Sequence, residues 1–81
     1  MDVFEIVKGK IALFSELDLS LISKDTNLVE NLEFDSFTLM CLIGELSEQY
    51  KIEINAEDVV SFTNVGDIVY YIEEKIKKKD I

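Results

Sequence analysis

The sequence predicts an all-α fold: three main helices, one short helix and a long first loop, in one domain spanning residues 1–81. Three observations predict it. Apolar residues recur at spacings of three and four in three separate stretches. The only strand-like alternation, Lys51-Ile52-Glu53-Ile54, covers four residues and has no partner strand. No repeat, low-complexity tract or linker divides the chain.

In the first stretch Phe4, Val7, Ile11 and Phe14 mark one face of a helix from about Asp2 to Leu17, with Val3 and Ile6 broadening the stripe. Gly9 inside it costs about 1 kcal/mol relative to alanine, which a helix tolerates. Residues 18–35 then lose the period. Ser23-Lys24-Asp25-Thr26-Asn27 is rich in side chains that bond their own backbone and favour turns. Leu19, Ile22, Leu28, Val29 and Leu32 punctuate this loop and are expected to pack it on the core. So long a loop in so small a domain is often functional.

A second helix is expected to begin at Asp35-Ser36. Phe37, Met40, Ile43 and Leu46 form one apolar row beside Leu39, Leu42 and Tyr50, a width that suits a central helix. Lys51 to Ile54 reads as an extended connector. Asn55 is placed to cap a short helix, with Glu57 and Asp58 against its N-terminal dipole and Val59, Val60 and Phe62 as buried contacts. Asn64 is expected to cap a last helix from Val65 to about Lys79, with Val65, Ile68, Val69, Ile72 and Ile76 as its core stripe. Lys75, Lys77, Lys78 and Lys79 complement its C-terminal dipole.

Composition narrows the function. An apolar fraction of 48% is enough to fold, and 31% charged residues suit a soluble surface. Seventeen acidic residues against eight lysines, with no arginine, give a net charge of −9. That charge disfavours nucleic acid, whose phosphates must be met by cations, and equally an anionic membrane surface. Histidine is absent and Cys41 is the only cysteine, so neither a Ser-His-Asp nor a Cys-His arrangement can be assembled, nor a His/Cys zinc site. No disulfide framework exists, the N-terminus is acidic from Asp2, and Phe37 to Gly44 is too short to span a bilayer. A cytoplasmic, monomeric binding or carrier module is therefore expected rather than a self-contained enzyme.

One place could carry chemistry: Leu32-Glu33-Phe34-Asp35-Ser36-Phe37. A serine in the first turn of a helix sits beside unpaired backbone N–H groups, where a phosphate is favoured. The plainer reading is that Asp35 or Ser36 caps the helix. Cys41 lies mid-helix without a basic neighbour to activate it and reads as a small filler. Glu30, Glu33 and Asp35 lack the glycine turn of a calcium loop, so no metal site is expected.

Asp35-Ser36-Phe37 resembles the Asp-Ser-Leu signature of acyl carrier proteins, with phenylalanine for leucine. Asp25-Thr26-Asn27-Leu28 resembles the family's loop signature, and Asn64-Val65-Gly66-Asp67 resembles the Thr-Val-Gly-Asp that opens its last helix. The spacing of Phe37, Met40, Leu42, Ile43, Leu46 and Tyr50 is similar to that of its second helix, so the resemblance covers nearly the whole chain. It implies the four-helix bundle of acyl-carrier type and a covalent 4′-phosphopantetheine on Ser36, added from coenzyme A by a magnesium-dependent phosphopantetheinyl transferase. Asp35 matches the aspartate that assists that transfer. Acyl groups would ride as thioesters for fatty acid, polyketide or other specialised biosynthesis, and the protein itself would catalyse nothing.

Several further expectations attach to this resemblance. Phe37 should anchor the helix start in the core and fix the serine's direction. Val7, Met40, Ile43, Leu46, Ile54, Phe62 and Ile68 are candidates to admit an acyl chain, although core packing accounts for most of them. Glu30, Glu33, Asp35, Glu45, Glu48, Glu57 and Asp58, with Phe37, form a candidate docking surface for acyl- or aminoacyl-loading and acyl-processing enzymes bearing basic patches. Thr38 and Cys41 stand where fatty-acid-synthesis carriers usually place further acids, and Glu33 stands where glycine is frequent. These departures point toward a specialised pathway. An aminoacyl or peptidyl carrier, or an unmodified acidic helical adaptor, are the rival readings.

Overall fold

A computed structural model describes residues 2–79, with the side chain of Lys79 outside the description. Four α-helices follow one another: α1, Val3–Ile11; α2, Ser36–Tyr50; α3, Ala56–Val59; and α4, Val65–Lys79. A 3₁₀ turn, Leu19–Leu21, lies in the loop after α1, where no apolar period marks it. Among the described residues there is no strand, and no helix is long and apolar enough to cross a membrane. Val7 and Ile11 of α1, Leu42, Ile43 and Leu46 of α2, Val59 of α3 and the stripe Val65, Ile68, Val69 and Ile72 of α4 close one core. Ile76 packs against its edge.

Helix α1 is shorter than its apolar stripe. After Ile11 the backbone tightens into i→i+3 bonds, Leu13 N–H to the Lys10 carbonyl and Phe14 N–H to that of Ile11. The Ser15 hydroxyl then accepts the Leu17 N–H, which turns the chain away from a further helical repeat. Helix α2 ends in a Schellman arrangement. Lys51 adopts the left-handed conformation at φ 53°, and the Ile52 N–H reaches back to the Ser47 carbonyl.

The long loop is braced from within and from α4. Asn27 Oδ1 accepts the N–H groups of Val29 and Glu30, and Asn31 Oδ1 accepts that of Asn27. Buried Thr26 accepts the Ser23 N–H. A two-bond bridge, Leu28 N–H to the Thr63 carbonyl and Val65 N–H to the Thr26 carbonyl, ties the loop to the start of α4. Gly66 allows that approach: its N–H meets the Lys24 carbonyl at 2.8 Å, where a Cβ would sit 3.1 Å from the same oxygen. Ile22, Leu28 and Leu32 pack into the core as expected, but Leu19 and Val29 are exposed because the turns around them point outward.

The connector Lys51–Ile54 is irregular, as its alternation without a partner implies. Asn55 occupies the N-cap of α3 without a side-chain hydrogen bond, and Val60 is 85% exposed rather than buried. The helix stops at Val59, so the turn that follows carries Val60 to the outer side. What holds α3 down is Val59, half-buried Phe62 and Tyr71, whose hydroxyl donates to Asp58 Oδ2 at 2.7 Å. Phe62 meets the Tyr71 ring edge to face at 5.3 Å. Asn64 caps α4 in a reciprocal box: its Oδ1 accepts the Asp67 N–H, while Asp67 Oδ2 accepts those of Thr63 and Asn64.

Candidate functional site at the start of the second helix

The braced loop delivers Asp35 and Ser36 to the mouth of α2. Phe34 plugs into the core at 5% exposure, and its N–H donates to the Leu28 carbonyl. Asp35 follows in extended backbone, and its Oδ1 accepts the Thr38 N–H at 2.7 Å. Asp35, not Ser36, is therefore the cap. Ser36 is the first helical residue and is exposed, with no hydrogen bond to its hydroxyl among the described residues. A hydroxyl relieved of capping, on a backbone fixed from both sides, is open to an incoming group. Thr38 holds the Asp35 carboxyl below its ordinary range, first through its backbone N–H and then through its side chain. An ionised carboxylate thus stands one residue from the hydroxyl.

Phe37 corrects an expectation. It is 76% exposed and cannot anchor the helix; Phe34, three residues earlier and outside the apolar period, does so. Met40 is exposed on the same side, so Phe37 and Met40 form an outward apolar ridge next to Ser36.

The candidate acyl-pocket residues are not all brought together. Val7, Ile43, Leu46 and Ile68 are packed within the core, Ile54 and Phe62 lie half-buried at its edge, and Met40 is turned to solvent. Phe62 lines a shallow cleft of about 220 Å³ with Ser61, Asp67, Tyr70 and Tyr71. The candidate docking acids also divide. Glu30, Glu33, Glu48 and Glu57 are exposed. Glu45 is half-buried and pairs with Lys10 Nζ at 3.4 Å, and Asp58 is engaged by Tyr71. Cys41 is half-buried, consistent with a filler. No cluster of metal-ligating side chains occurs among the described residues.

Against known proteins, residues 5–72 match the family model described as a phosphopantetheine attachment site. The chain is 39% identical over 70 residues to the acyl carrier protein of Onion yellows phytoplasma, covering 86% of this chain and 92% of that one. It is 35% identical over 74 residues to the acyl carrier protein of Helicobacter pylori strain J99, covering 91% and 95%. Its fold superposes on the acyl carrier protein from Enterococcus faecalis with a TM-score of 0.78 at 26% identity, covering 90% of this chain and 92% of that one.

Proposed function

The chain belongs to the acyl carrier protein family, and on that premise we propose that Ser36 is the hydroxyl to which 4′-phosphopantetheine is joined. The protein is a phosphopantetheine-dependent acyl carrier. When attached, the group supplies a terminal thiol on which acyl chains are held as thioesters. The observation that carries the assignment to Ser36 is the division of labour at the helix start: Asp35 meets the orphan N–H of the first turn and leaves the neighbouring hydroxyl exposed.

Loading needs no catalytic base from this chain. Ser36 Oγ forms a phosphoester bond to the pantetheine-bearing phosphorus of coenzyme A as the pyrophosphate P–O bond breaks; adenosine 3′,5′-bisphosphate leaves with that electron pair, and the serine proton passes to a base of the transferase. With one oxygen accepting the Thr38 N–H, the Asp35 carboxylate would offer its other oxygen to a cation bound with coenzyme A, which would help neutralise the phosphate charge during transfer. The protein then acts as a substrate of other enzymes and not as a catalyst. Those enzymes dock over Ser36 through basic surfaces. The exposed Phe37–Met40 ridge supplies apolar contact, while Glu48 and Glu57 supply attraction at the rim. Thr38 and Cys41, in place of further acids, favour partners of a specialised biosynthetic pathway over those of bulk fatty acid synthesis.

Incubation with coenzyme A, magnesium and a broad-specificity phosphopantetheinyl transferase tests this directly. The intact mass is expected to rise by one arm in the unaltered protein and to stay fixed in Ser36→Ala. No rise with several such transferases would favour an unmodified adaptor.

A further inference from the structure

We propose that the cleft between helix α4 and the turn after α3 is a cargo subsite, which holds the free amine of an aminoacyl group carried on the Ser36 arm. This deepens the carrier reading and rests on Ser36 being the attachment site. Ser61, Phe62, Asp67, Tyr70 and Tyr71 line the cleft, whose volume is about 220 Å³. Its lining does not suit an alkyl chain. Three aromatic rings, from a chain with five phenylalanines and three tyrosines, meet one carboxylate, and no lining residue is a cation. Ring faces and a carboxylate together attract an ammonium group. The Tyr71 ring already draws one, Lys75 Nζ, to 5.4 Å from its centroid.

The lining is fixed from inside the molecule. The Tyr71 hydroxyl donates to Asp58 Oδ2 at 2.7 Å and the Phe62 ring meets Tyr71 edge to face at 5.3 Å, so these rings are preorganised. Asp67 Oδ2 accepts the N–H groups of Thr63 and Asn64, which orients the carboxylate; its Oδ1 accepts no hydrogen bond among the described residues. Tyr70 is 65% exposed, a ring the core does not use. The arm reaches this far. Phe34 N–H bonds to the Leu28 carbonyl and Leu28 N–H to that of Thr63, two steps of about 5.5 Å each. Ser36 lies two residues beyond Phe34, at most about 7 Å of chain. Phosphopantetheine has about as many chain atoms as five extended residues, about 17 Å, and with its aminoacyl group it spans that path. At about 30 Å³ for a water-sized group, the cleft admits a small aminoacyl group and not a long alkyl chain.

The test loads the full, isotope-labelled chain from two coenzyme A analogues whose thioester sulfur is replaced by N–H. One bears a β-alanyl group; the other bears a butyryl group, the same size with a methyl in place of the amine. The β-alanyl arm is expected to give nuclear Overhauser contacts to the Phe62 and Tyr71 rings and to shift the Ser61, Asp67 and Tyr70 amide signals. The butyryl arm is expected to do neither. Asp67→Asn keeps an oxygen for the Thr63 and Asn64 N–H groups and should weaken the β-alanyl contacts about threefold. Tyr70→Leu, at an exposed position, should weaken them similarly with the melting temperature unchanged. Equal contacts from both arms, contacts from neither, or β-alanyl contacts undiminished in both variants would overturn the proposal. Failure of the Ser36 assignment would look different, since Ser36→Ala would then take up both arms as the unaltered chain does, or the unaltered chain would take up none.

Discussion

Two phenylalanines three residues apart should respond in opposite ways to truncation. Phe34 is 5% exposed and belongs to the core cluster; Phe37 is 76% exposed on the first turn of α2. Removing a buried phenylalanine ring costs about 3–5 kcal/mol, the lost transfer energy plus the cavity left behind. A domain of this size has a total stability of about 4–12 kcal/mol at the usual value per residue. Phe34→Ala therefore removes a large share of it, and at about 4–8 °C per kcal/mol the melting temperature should fall by at least about 12 °C. Phe37→Ala gives up little buried area and should change stability by no more than about 0.5 kcal/mol. Urea unfolding followed by circular dichroism, with equal m-values, measures both. Phe37→Ala should in addition slow acyl transfer to partner enzymes while leaving the fold intact. A loss above about 2 kcal/mol in Phe37→Ala, or an unchanged midpoint in Phe34→Ala, would refute the assignment of the anchor.

Three other outcomes follow from the same contacts. Tyr71→Phe removes the hydroxyl that donates to Asp58 and should cost about 1 kcal/mol, discounted for partial exposure, with faster amide exchange confined to α3 and the turn after it; uniform exchange across the helices would deny that Tyr71 holds α3 down. Thr38 lowers the folded pKa of Asp35, so its contribution is present above the ordinary carboxylate range and lost as pH falls through the folded value. Asp35→Asn, which keeps a capping oxygen, should flatten that acid limb, and an unchanged pH profile would count against it. Reversing charge in Glu48→Lys should slow transfer to partner enzymes at low salt and less so at high salt, whereas Glu45→Lys mixes this effect with loss of the Lys10 pair; equal rates at low salt for Glu48→Lys would count against electrostatic docking.

Much of this architecture is legible in the sequence, and what is not has a physical cause. The extents of α2 and α4 follow from a cap residue placed before an apolar period, Asp35 and Asn64 respectively. The apolar row does not place Phe37 in the core because residues spaced by three precess around a helix. At about 100° per residue, Phe37 and Leu46 lie on opposite sides, so the row Phe37, Met40, Ile43, Leu46 runs from solvent to core rather than along one face. In the loop no period exists to assign faces, which is why Leu19 and Val29 could not be separated from Ile22 and Leu28. Phe34 stands just before a helix, outside any stripe, and only the bond from its N–H to Leu28 shows where it goes. The pairing of Lys10 with Glu45, 35 residues apart, is a product of packing and leaves no local trace. The candidate site is better marked: a capping acid followed by serine, within a wider match to a carrier family, points to Ser36, while the freedom of its hydroxyl from capping follows only from the way Asp35 takes the Thr38 N–H.

The most direct measurement is fragmentation of the loaded protein to locate the added phosphopantetheine by residue. The mass should fall on Ser36 and on no other serine, with Asp35 and Phe37 unmodified on either side. An arm found on a different residue, or a Ser36→Ala variant loaded as fully as the unaltered chain, would contradict the claim that this hydroxyl is the point of attachment.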